Sequence, residues 1–140
     1  MNLEQIRKYL LSKKKTTEEL PFGPQALVYK VLGKMYALIA WEENPLYISL
    51  KCDPERAVSL RAGYAAIKPA YHMNKTHWNM VYFDGSLSDE QIKELIDHSY
   101  DLVISKLKKS EREKLRKKIK IKKIYKKAES RIKVVVKWEK

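Results

Sequence analysis

The apolar positions of this chain follow two rhythms that alternate along its length. Leu3, Ile6 and Leu10 recur at i, i+3 and i+7, the spacing that gathers side chains on one side of a helix. Asn2 stands at the N-cap with Gln5 three residues on, and Lys13, Lys14 and Lys15 follow where positive charge favours the negative end of the helix dipole. Pro21-Phe22-Gly23-Pro24 then turns the chain. Beyond it Leu27 to Leu32 and Met35 to Trp41 read as antiparallel strands joined by a type II′ turn at Gly33-Lys34. After Glu42-Glu43-Asn44-Pro45, Leu46, Ile48 and Leu50 alternate with Tyr47, Ser49 and Lys51, which predicts a third strand with one face buried.

Asp53 and Pro54 suit the cap and first position of a short helix, with Ala57, Val58 and Leu60 on its apolar side and Gly63 as a left-handed end. From Ile67 to Phe83 the pattern predicts two more strands around a polar connection near Asn74-Lys75, ending at Asp84-Gly85. Ser88 with Gln91 opens a last helix, whose inner face is Ile92, Leu95, Ile96, Ser99 and Val103 and which runs to about Leu107. The order α-β-β-β-α-β-β-α lacks the crossover rhythm of a parallel sheet and predicts an α+β fold, an antiparallel sheet with helices packed on it.

The last stretch reads differently. Leu115, Ile119, Ile121, Ile124, Tyr125 and Ala128 fall near helical spacing among lysines, and Ile132, Val134, Val136 and Trp138 then alternate with Lys133, Val135 and Lys137. A basic helix followed by a short strand is expected. The formal charge of the 140 residues is +13, but residues 1–107 hold 14 Lys and Arg against 13 acids, whereas residues 108–140 hold 16 against 4. The chain therefore divides into a near-neutral domain, residues 1–108, and a lysine-rich extension, residues 109–140. Such an extension fits a polyanion. Its apolar stripe lacks the bulky face of a membrane-inserting helix, so nucleic acid is the expected partner and membrane is not. Phosphate contact falls to Lys117, Lys118, Lys122, Lys123, Lys126 and Lys127; only Arg112, Arg116 and Arg131 offer the planar fork that reads bases, so binding without sequence preference is expected.

Other chemistries find little support. Cys52 is the single cysteine, which removes internal disulfides and multi-cysteine zinc sites. Gly23, Gly33, Gly63 and Gly85 are scattered singly, so no phosphate-cradling loop or nucleotide cofactor is implied. No serine sits in a nucleophile elbow, and the acid pairs Glu18-Glu19 and Glu42-Glu43 read as solvated loops beside turns. His72 and His77 lack the further ligands a metal needs. No apolar run approaches membrane-spanning length and no signal sequence opens the chain, so a cytoplasmic protein is expected. The segment His72-Met73-Asn74-Lys75-Thr76-His77-Trp78-Asn79, with Lys68 before it, is the densest chemistry in the domain: Lys75 and His77 suit phosphates, and Trp78 suits a stacked base. Equally, Trp78 suits a core edge, and Asn74 and Asn79 suit hydrogen bonds within their own turn.

Pro21-Phe22-Gly23-Pro24, Lys30-Val31-Leu32-Gly33-Lys34-Met35-Tyr36-Ala37, Ser49-Leu50-Lys51-Cys52-Asp53-Pro54-Glu55-Arg56, Lys68-Pro69-Ala70-Tyr71 leading into His72–Asn79, and Asp84-Gly85-Ser86-Leu87 resemble the MmcQ/YjbR family of small bacterial proteins. The resemblance covers residues 1 to about 108. It implies a sandwich similar to CyaY and the type III secretion chaperones, and a DNA-binding protein without enzymatic activity; members of the family end near the position of Lys109. The expectation is thus a non-enzymatic nucleic-acid binder, DNA favoured, holding no cofactor or metal. The alternative is a protein-interaction module or chaperone-like homodimer using the sheet face or the C-terminal edge strand.

Overall fold

The computed structural model of the chain describes residues 1–21 and 23–115, in two compact units, Met1–Lys106 and Leu107–Lys140. In the first unit α1 (Leu3–Leu11) opens with the expected capping box between Asn2 and Gln5 and buries Ile6 and Leu10. It stops at Ser12, one residue before the lysine run, so Lys8 is the base of its last turn. Lys13 instead pairs with Asp97 and sits over the rings of Tyr9 and Tyr100.

Six antiparallel strands follow: β1 (Thr16–Glu19), β2 (Leu27–Val31), β3 (Lys34–Ala40), β4 (Tyr47–Lys51), β5 (Ile67–Pro69) and β6 (Trp78–Tyr82), in the spatial order β1-β2-β3-β4-β6-β5. The sheet has one strand more than the pattern of apolar positions predicts. Thr16-Thr17-Glu18-Glu19 carries no apolar side chain, yet β1 pairs with β2 along the sheet edge. Glu18 is therefore not a solvated loop acid: it accepts from Arg7 Nε at 3.0 Å and Nη2 at 2.9 Å and from the Tyr29 hydroxyl. The β2–β3 turn also differs. Val31 pairs with Lys34, and Leu32 and Gly33 both have positive φ (48° and 80°), which makes Leu32-Gly33 a type I′ turn rather than a type II′ turn at Gly33-Lys34.

Asp53 caps α2 (Pro54–Gly63) by accepting from Arg56 N. Its end is not a left-handed Gly63; Tyr64 closes the helix in extended conformation, and Val58, expected inside, is 58% exposed. α3 (Asp89–Ser105) carries the Ser88–Gln91 capping box and buries the five residues predicted for its inner face, with Tyr100 besides. Helices α1 and α3 build the core with the sheet, Ile6, Leu10, Ile92, Ile96 and Val103 joining Tyr29, Val31, Ile39, Ile48, Leu50 and Val81, and Leu60 of α2 packs against it half-buried. The α+β architecture is thus the one the sequence predicts, a sheet with helices packed on it. In the second unit residues 109–115 are helical, and Glu111 caps the start by accepting from Lys108 N. The remainder of the expected basic helix, and the strand expected over residues 132–138, lie outside the described residues.

Candidate functional site

The ladders assign the two faces of the sheet residue by residue. Ile39, Ile48 and Val81 lie in register on the core face, so their neighbours Leu38, Ser49 and Met80, also in register, must lie on the other. Tyr47 opposite Tyr82, Lys51 opposite Trp78, and Lys68 opposite Met80 share that second face. Tyr47 and Tyr82 make a ring pair at 5.2 Å, and the Lys68 ammonium stands 5.3 Å from the Tyr82 ring centre. Three aromatic side chains and two lysines therefore line adjacent strands.

The connection between β5 and β6 folds onto this face. Met73 N donates to Ala70 O at 3.0 Å, Trp78 N donates to Asn74 O at 2.9 Å, and Ala70 N returns to Trp78 O at 3.1 Å. Asn74 fixes its own turn by accepting from Thr76 N at 3.0 Å. Between connection and sheet lies a cavity of about 520 Å³. Its apolar wall is Met35, Leu38, Met73, Trp78 and Met80, with Ala70 and the Tyr47 ring; Ser49, His72 and Asn74 supply its polar atoms. Ser49 is only 3% exposed, and its hydroxyl has no hydrogen-bond partner among the described residues.

The residues singled out in the sequence thus separate. His72, Asn74 and Trp78 meet in the cavity wall, and Lys68 lies on the same face. Lys75 is exposed and His77 half-buried in the connection, both held through their carbonyls, which accept from Arg61 Nη1 at 2.9 Å and from Cys52 N at 2.8 Å. Asn79 is a correction: it is 2% exposed on the core side, accepts from Arg61 Nη1 at 3.0 Å and donates to Ala57 O at 3.4 Å, so it ties α2 to β6 and offers nothing to a ligand. Arg112 is exposed on the helix over residues 109–115. Arg116, Lys117, Lys118, Lys122, Lys123, Lys126, Lys127 and Arg131 lie outside the described residues.

Sequence reasoning missed Tyr47, Ser49 and Lys51. They were the outward positions of an alternating strand, and the signal was that an outward set of Tyr, Ser and Lys is chemically richer than a merely solvated face. Lys51 is held below the usual lysine range, first by burial and then by the neighbouring Lys106 ammonium. Elsewhere, burial raises the Cys52 thiol, the reverse of what a nucleophilic cysteine needs. His98 Nε2 accepts from Asp53 N at 3.2 Å, so its remaining proton is on Nδ1.

A six-stranded antiparallel sheet with its helices gathered on one face, and a cavity roofed by a strand connection on the other, defines a small α+β domain. The chain belongs to the YjbR family, whose model matches residues 11–102. It is 34% identical over 115 residues to YjbR of Escherichia coli K12, covering 82% of this chain and 98% of that one, and 38% identical over 96 residues to YbdF of Escherichia coli O157:H7, covering 69% and 79%. Among solved structures, a Deinococcus radiodurans protein of the DUF419 domain family superposes with a TM-score of 0.76 at 40% identity, over 81% of this chain and 87% of the other. A Pseudomonas syringae protein does so with a TM-score of 0.64 at 34% identity, over 73% and 98%. Among the described residues no helix is long and apolar enough to cross a membrane.

Proposed function

We propose that the protein is a non-enzymatic nucleic-acid-binding protein that holds an unpaired strand on the second face of its sheet, while the lysine-rich extension contacts phosphates without regard to sequence. The observation that carries this reading is the cluster of Trp78, Tyr47 and Tyr82 on adjacent strands with Lys51 and Lys68 in register beside them. Rings presented from a sheet stack bases of any identity, and ammonium groups between them track the backbone. Lys51 beside Lys106 adds a like-charge pair whose repulsion an anion relieves. The 16 positive residues of the last 33 supply the long-range attraction.

Stacking on a sheet requires bases that are not paired to a second strand. Full-length protein is therefore expected to prefer single-stranded DNA or RNA to duplex DNA at equal length and salt. Trp78→Leu is expected to remove about 1–3 kcal/mol of single-strand affinity, the usual worth of one stacked base, and to leave duplex affinity nearly unchanged. Fluorescence anisotropy with labelled oligonucleotides measures both. Equal losses on the two substrates would remove the sheet face from the reading; absence of binding to any nucleic acid at low salt would end it.

A second reading, protein docking or homodimerisation through the same face, draws on Met35, Met73 and Met80 around the cavity, since flexible thioethers adapt to varied apolar partners. A salt-insensitive dimer, broken by Trp78→Leu in a size measurement, would favour it.

A further inference from the structure

We infer that the cavity under the β5–β6 connection is a pocket for one planar heteroaromatic base, of nucleoside size, inserted against Trp78 and hydrogen-bonded at its edge by Ser49 and Asn74. This rests on the nucleic-acid reading only for the source of the base; the pocket itself is argued from its walls.

Its volume of about 520 Å³ is within the range of small-molecule sites. Leu38 and Met80 form the floor from β3 and β6, the two strands that flank β4, and Trp78 offers an indole for stacking. The polar atoms are few and incompletely used. Ser49 is nine-tenths buried and more, its hydroxyl unpartnered among the described residues, at the very strand position where Leu38 and Met80 flank it in register. A buried hydroxyl left without a partner costs free energy, so its retention there points to a ligand that completes it. Asn74 uses its Oδ1 on Thr76 N, which leaves the amide Nδ2–H groups as donors. The open valences are thus one hydroxyl that can give or take, one amide that can give, and at the exposed rim the imidazole of His72. That pattern matches the carbonyl and ring-nitrogen edge of a nucleobase better than a saturated lipid chain, which would leave them unsatisfied, or a phosphate, which the apolar walls would desolvate without a cation.

The same base could arrive free, as a nucleoside, or splayed from a strand, and the experiment separates the two. Calorimetric titration of full-length protein with adenosine, guanosine and thymidine is expected to give at least one dissociation constant below about 1 mM. Ser49→Ala is expected to weaken that binding about tenfold while leaving the melting temperature unchanged or higher, because it deletes an unsatisfied hydroxyl and opens almost no volume. A strand of ordinary bases should compete with the nucleoside, and an abasic strand of equal length should not. Nucleoside binding without competition by strands would keep the pocket and remove the sheet face from the nucleic-acid reading. Strand binding that is indifferent to Ser49→Ala, with no nucleoside bound, would overturn the pocket and leave that reading standing. A Ser49→Ala variant that loses stability would also overturn it, since the hydroxyl would then serve the fold.

Discussion

Two buried serines on opposite faces of the sheet show how much depends on a single hydroxyl. Ser99 on α3 is fully buried, donates to Tyr36 O at 2.6 Å and accepts from Lys51 N at 2.9 Å, so one oxygen joins α3 to β3 and β4. Ser99→Ala leaves a buried carbonyl and a partly buried amide unpaired and is expected to cost about 1–3 kcal/mol in urea unfolding, where Ser49→Ala costs nothing. A comparable contrast governs acid stability. Burial first, then the Arg56 charge, hold His98 below its ordinary 6.5, against the opposing pull of Glu94, Asp53 and Asp101. Its neutral form is the one that accepts from Asp53 N, so this stability is complete above pH 6.5 and is lost as pH falls through the lower folded value. Glu18 is held below 4.5 chiefly by its hydrogen bonds from Arg7, with Tyr29 assisting, so its contribution is present above pH 4.5 and disappears as pH falls through its own folded value. Melting temperature against pH should therefore fall in two stages. His98→Gln should flatten the upper one and Glu18→Gln the lower; a curve unchanged by His98→Gln would show that Asp53 N finds another acceptor at no cost.

At the scale of elements, the turn between α1 and β1 carries a removable strain. Lys15 is exposed with φ at +58°, a conformation that costs a residue with a Cβ about 1 kcal/mol and a glycine almost nothing. Lys15→Gly is expected to change stability by about +0.5 kcal/mol once the greater freedom of the unfolded chain is subtracted, and Lys15→Ala, which keeps the strain, by nearly nothing. Thermal unfolding of the two variants checks this. That turn also explains why β1 was illegible: Thr16-Thr17-Glu18-Glu19 shows no apolar alternation because its inward groups are satisfied by polar chemistry, Thr16 with the Tyr36 hydroxyl at 2.9 Å and Glu18 with Arg7 and Tyr29. Helices α1 and α3 were legible because capping residues and a 3.6-residue period point the same way at every position. The sequence pattern places the β2–β3 turn one residue late because a glycine is the natural first position of a type II′ turn, whereas Leu32, a residue that disfavours positive φ, occupies that place.

At the scale of the whole molecule, the chemistry divides as the charge does. The dense segment His72–Trp78 could be picked out in the sequence because its residue types are unusual together. Ser49 and Tyr47 could not, since only the register of β4 against β3 and β6 shows that they face the same space. Asn79 was misassigned for the same reason, one step along the strand placing it on the opposite face. The nucleic-acid reading then predicts that affinity separates into two parts with different responses to salt. Each phosphate neutralised contributes about 0.7 to the slope of log affinity against log salt for single strands. Replacing Lys122, Lys123, Lys126 and Lys127 with Gln should flatten that slope by up to about 3, while Trp78→Leu should lower the whole line and leave its slope unchanged, because a stacked base releases no counterion. Anisotropy measured from low to moderate salt resolves the two effects in one series. If Trp78→Leu changed the slope and the lysine replacements did not, the phosphates would be held at the sheet and not by the extension, and Lys51, Lys68 and Lys106 would become the residues to substitute next.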